Sequence, residues 1–120
     1  MFMMYVFWLA KIVLGAYFIK AGINHFMHTD MLAGYAGSKG MPMPKAGVLV
    51  SGAMMLLGGL GIISGMYMTV AVWLCVVFLV LAAFSIHTFW KVEDQMAKMG
   101  ERVNFEKNLA LAAALVLLLM

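Results

Sequence analysis

The sequence predicts an all-α membrane protein, a four-transmembrane-helix antiparallel bundle, and three observations carry that expectation. Hydrophobic residues make up 66% of the 120 positions, and mean hydropathy is +1.02. Four long apolar stretches recur, each near the roughly 20 residues that a hydrocarbon core of about 30 Å requires. Every acidic residue and six of the eight Lys and Arg gather in two stretches, about 27–45 and 91–107. With no polar stretch long enough to build a separate core, residues 1–120 read as one four-helix membrane domain.

Helix 1 is expected over about 2–26. The N-terminus lacks a basic leader and a small-residue cleavage signal and carries Lys11 and Lys20 inside its apolar run, so it reads as a retained helix. A Gly-, Met- and Pro-containing loop follows, ending in Pro42-Met43-Pro44, and helix 2 is expected over about 45–63 because proline suits a helix start. Ser64-Gly65-Met66-Tyr67 reads as a tight uncharged turn, making helix 3, about 68–90, an antiparallel neighbour of helix 2. Helix 4 is expected over about 104–120, with Asn104 as its N-cap and Glu106 in its first turn.

Four crossings put both polar stretches on one side. The positive-inside rule makes that side cytoplasmic, with both termini and the 64–67 turn outside. The net charge of +3 belongs beside anionic headgroups rather than on nucleic acid, which is not an expected partner. The lone Cys75 excludes thiol-relay chemistry. Fourteen methionines are spread through spans and loops alike, a pattern of ordinary packing rather than of a copper site.

Helix packing is assigned to Gly47, Ser51, Gly58, Gly61 and Gly65, which recur at steps of three and four and let backbones approach in lipid, within the bundle or between subunits. On helix 1, Lys11, Gly15, Phe18, Gly22 and His25 form one stripe that should face inward. No acidic side chain within the spans balances Lys11, so it is either a functional or subunit-contact residue or one that reaches the outer headgroups along its own stem. His25 and His87 are expected at similar depth near the cytoplasmic ends of helices 1 and 3. That makes them candidates for a quinone or proton role, with interfacial anchoring as the plain alternative. Trp90 sits at the same interface, as Trp8 and Trp73 sit at the other. No metal-ligand spacing is present, and no metal is expected.

The segments AKIVLGAYFIKAGINHF, MLAGYAGSKGMPMPK, SGAMMLLGGLGI, IHTFWKVED and NFEKNLALAAAL, in this order, resemble the DoxX family of small bacterial and archaeal membrane proteins. The resemblance implies a four-helix membrane bundle in the cell (inner) membrane, set in a quinone-linked or oxidative-stress context beside larger redox enzymes. His25, Lys39, Pro42, Pro44, His87, Trp90, Lys91, Lys107 and Asn108 fall on matching positions, and Lys11 stands where an arginine is common. The expected function is therefore an integral membrane subunit of a quinone-linked redox complex, with Lys11, His25, His87 and Trp90 as its quinone or proton candidates. No catalytic residue is assigned and no activity of its own is expected. Two other readings stay open: a non-catalytic scaffold that docks a larger complex or a homo-oligomer, and a binder of lipid-like small molecules.

Overall fold

A computed structural model describes residues 1–120 as five α-helices with two short 3₁₀ turns and no strand: α1 (Phe2–Met27), α2 (Thr29–Ser38), α3 (Pro44–Ser64), α4 (Met68–Ser85) and α5 (Gln95–Val116). The 3₁₀ turns are Phe89–Lys91 and Leu117–Leu119. Three segments, Phe2–Met27, Pro44–Ser64 and Met68–Lys91, are long and apolar enough to cross a membrane. The second half of α5 is apolar, but its first half carries Lys98, Glu101, Arg102, Glu106 and Lys107.

Local chemistry sets most of the boundaries. Pro44 occupies the first turn of α3, where a missing N–H costs nothing. Gly65 ends α3 in the left-handed region at φ 77°, and its N–H donates to the Gly61 carbonyl at 2.8 Å. Three expectations need correction. The stretch after helix 1 is not a loop: α2 forms despite Gly34 and Gly37 because its contacts outweigh their weak helix propensity. Ala36 is buried, Gly37 lies beside Pro44, and Thr29 Oγ1 donates to the His25 carbonyl at 2.8 Å.

The helix expected over 68–90 ends at Ser85 rather than near Trp90, since the His87 N–H bonds back to Ala82 O at 3.0 Å, one residue wider than helical register, and the chain unwinds. The last long helix begins at Gln95 rather than Asn104. Asp94 is its N-cap, accepting from the Ala97 N–H at 2.9 Å, and the Gln, Met, Ala, Lys and Glu residues that follow are good helix formers despite their polarity.

Packing is closest between α1 and α3, where glycines bring backbone against backbone. A Cβ on Gly22 would lie 2.7 Å from Gly52 O, and one on Gly59 would lie 2.6 Å from Gly15 O. This register makes the two helices antiparallel. The small-residue seam expected on this helix therefore divides between faces. Gly58 and Gly61 lie against Cys75 and Ala71 of α4, Gly65 makes the turn, and Gly47 and Ser51 face the end where α2 docks. The α1 contact uses Gly52 and Gly59 instead, seven residues apart. A shared core joins Phe18 of α1, Ile62 of α3, Val72 and Val76 of α4, and Ala112 and Leu115 of α5. Buried Asn108 ties α5 to α4 by donating to Leu79 O at 3.4 Å.

Lys11 is 6% exposed. Its ammonium lies 4.1 Å from the centre of the Trp8 ring and 3.8 Å from the Cβ position of Gly65, at the C-terminal end of α3. An aromatic face and the negative end of a helix dipole thus take the place of a carboxylate. Because Lys11 is level with the end of α3, Phe2–Ala10 run on past the α3–α4 turn, exposed at every position.

Gly59→Ala places a methyl group against the α1 backbone and is expected to destabilise the protein by about 1–3 kcal/mol. Gly34→Ala, where nothing lies within 4 Å, should leave it unchanged or slightly stabilised. Thermal unfolding in detergent, followed by circular dichroism, measures both.

Candidate functional site

Where α2 folds back over the ends of α3 and α4, it helps enclose a cavity of about 350 Å³, mostly apolar, with few polar groups on its walls. Both His25, near the end of α1, and His87, just beyond α4, line it, together with Tyr35, Ser51, Phe78 and Ser85. Two of the cavity's wall residues, Val50 of α3 and Leu81 of α4, are about 60% exposed, so it opens sideways on the surface these apolar helices present to lipid.

Each histidine is held by its Nδ1. His25 Nδ1 lies 3.2 Å from Val48 O and 3.0 Å from Ser51 Oγ, and its ring meets Phe78 edge to face at 5.8 Å. The Ser51 hydroxyl itself donates to Val48 O at 3.1 Å. Val48 is brought under His25 by the glycine crossing nearby, because only Gly52 leaves room for the His25 Cβ. His87 Nδ1 lies 3.2 Å from Glu101 Oε2 of α5.

Glu101 is the centre of a small network. Its carboxylate also accepts from the Tyr35 hydroxyl and lies 3.7 Å from Lys39 Nζ, so both residues from the α2 segment reach it. The side chain is 12% exposed. Burial pushes its carboxyl upward, but the hydrogen bonds from Tyr35 and His87 and the Lys39 charge outweigh burial and hold it below its ordinary value. Burial, then the hydrogen bond to Glu101 and its negative charge, push the Tyr35 phenol well above its usual range, so it stays a donor.

These contacts join the two polar stretches of the sequence at one end of the molecule. Lys45 and Asp30 approach within 3.8 Å there too, but both are largely exposed and the pair contributes little.

Of the four residues singled out as quinone or proton candidates, the structure brings His25 and His87 to one cavity. Lys11 lies well away along α1, level with the C-terminal end of α3. Trp90 lies outside the cavity wall in an aromatic cluster with Phe84, Phe89 and Phe105, at ring separations of 5.3–6.5 Å, and Arg102 covers Phe89. Tyr35 and Glu101 were missed by sequence reasoning. The available signal is the α5 stripe Glu101, Phe105, Asn108, Ala112 and Leu115, which shares the helix face that packs inward. No group of three His, Cys, Asp or Glu side chains converges as metal ligands would.

The profile of the family described as DoxX matches residues 6–88. The chain belongs to that family, and with its three apolar helices it is a membrane protein. No curated protein and no solved structure matches it.

A carboxyl held low stabilises the fold fully above its ordinary value of 4.5 and ceases to do so as pH falls through its lower folded value. Glu101→Gln should therefore cost about 1–2 kcal/mol near neutrality. The gap to the native protein should close as pH drops below 4.5, which detergent unfolding curves across that range would follow.

Proposed function

We propose that this DoxX-family protein is a membrane subunit of a quinone-linked redox assembly, and that the cavity between His25 and His87 receives the quinone head group. The observation that carries this reading is one pocket holding two imidazoles, apolar elsewhere and open on the bilayer side between Val50 and Leu81. A lipid-soluble ligand reaches such a pocket without crossing water. At about 350 Å³ it lies at the small end of ligand sites, which span about 300–1,000 Å³. It has room for one substituted ring and sends a long tail out between the helices.

In this reading the stretch from about 104 to 120 makes the fourth crossing, its buried Asn108 face turned to α4, and the bundle is antiparallel throughout. The end carrying Lys39, Lys45, Lys91, Lys98, Arg102 and Lys107 faces the cytoplasm of a bacterial or archaeal cell. Electrons are exchanged with a partner protein of the assembly. Lys11 and Trp90 are assigned to stability rather than to the quinone, as both lie away from the cavity.

A scaffold reading draws on a different observation, the exposed apolar run Phe2–Ala10, which would seat a partner helix or a second copy.

Lipid extracts of gently purified protein separate the two. Under the quinone reading the extract contains quinone near equimolar amounts, and His87→Ala and His25→Ala each lower it at least about tenfold. A larger oxidase or dehydrogenase that co-purifies stoichiometrically, carries no quinone on this subunit and turns over unchanged in both variants establishes the scaffold instead.

A further inference from the structure

The two histidines fix which redox form of such a ligand the cavity prefers. Val48 O and the Glu101 carboxylate are acceptors only, so the nitrogens facing them must carry hydrogen: His25 Nδ1–H donates to Val48 O and Ser51 Oγ, and His87 Nδ1–H donates to Glu101. The Ser51 hydroxyl fits the same arrangement, since its own hydrogen has Val48 O as an acceptor at 3.1 Å. Nor can Glu101 reverse the second, because it already takes the Tyr35 hydroxyl and sits by Lys39 as an anion. A neutral imidazole has one N–H and one lone pair. With Nδ1–H committed in both rings, each is left with a lone pair at Nε2.

The cavity's other hydroxyls are committed in the same way. Ser85 Oγ donates to Leu81 O within its own helix, and the Tyr35 hydroxyl donates to Glu101. With these bonds kept, the side chains on the cavity walls offer a neutral guest acceptors and no uncommitted N–H or O–H donor. A quinone carbonyl is itself an acceptor and finds no partner there, whereas a hydroquinone hydroxyl donates to either Nε2.

Resting on the reading of the cavity as a quinone-type site, the geometry points to selective binding of the reduced, hydroxyl-bearing form, with Glu101 as the positioning residue that sets the His87 tautomer. A site built to accept from a hydroxyl discriminates strongly against an analogue without one, because its acceptors are then left unpaired. The expected preference is at least about tenfold.

The test uses the purified full chain in nanodiscs at about pH 8, where an ordinary imidazole is neutral. A decyl-substituted benzoquinone and its dithionite-reduced form are titrated anaerobically by equilibrium partition, with protein-free nanodiscs subtracting membrane uptake. Tighter binding of the reduced form by about tenfold, falling several-fold in Glu101→Gln while His25 keeps its acceptor, is the result expected. Glutamine can turn its amide N–H₂ toward Nδ1 and so release the tautomer. Equal binding, or tighter binding of the oxidised form, overturns the inference while leaving the quinone site standing. A preference undiminished in Glu101→Gln removes that residue from the positioning role. Failure to bind either form overturns the quinone reading itself and the inference with it. Because the ratio is measured first on the native chain, the preference is decided whether or not the variant folds.

Discussion

One carboxylate ties together three segments that lie far apart in the sequence. Glu101 stands on α5, yet its partners come from the α2 segment and from the unwound residue after α4. Removing a carboxylate from water is costly unless its oxygens are satisfied, so each donor that approaches makes the burial tolerable and is in turn fixed by it. The roof of the cavity is a consequence. Without the Tyr35 and Lys39 contacts, α2 is a short, glycine-containing helix with one buried residue, too weak to stay folded against α3 by propensity alone.

Below that polar cap, cohesion has a different origin. Lipid gives no hydrophobic drive for helices to associate, so α1 and α3 gain by proximity, with paired glycines bringing carbonyl oxygens close enough for extensive dispersion contact. The same crossing has a chemical effect at its end. Gly52 admits the His25 side chain against α3, which is why a backbone carbonyl rather than water meets its Nδ1.

Hydropathy, Pro44 and Gly65 were enough to read three apolar helices and the tight turn, because those features depend on local composition and backbone freedom. The inward stripe of α1 was also legible, since Lys11, Gly15, Phe18 and Gly22 are all buried. The facing stripe on α3 was not. The adjacent pairs Ser51-Gly52 and Gly58-Gly59 carry two small-residue seams one residue apart, and spacing alone cannot say which seam meets which neighbour. α2 was hidden by its glycines and the start of α5 by its charges, both cases in which tertiary contact or a cap overrides composition. The pairing of His25 with His87 followed from equal depth in the expected topology. Glu101 did not, for it is 66 residues from Tyr35 and 14 from His87, and no periodicity links them.

The unequal lengths of the helices leave their mark on the surrounding lipid. In the glycine register Lys11 is level with the end of α3, so the nine residues Phe2–Ala10 of α1 extend beyond it, roughly 13 Å at 1.5 Å per residue. Acyl chains that cover the whole of α1 stand taller than the neighbouring hairpin, so the leaflet there must thin, or the helix must lean. Either adjustment brings headgroups and water down toward the hairpin tip. A lysine set deep along its own helix then lies nearer the headgroups than its place in α1 alone would put it, while Trp8 and the end of α3 still cover its ammonium.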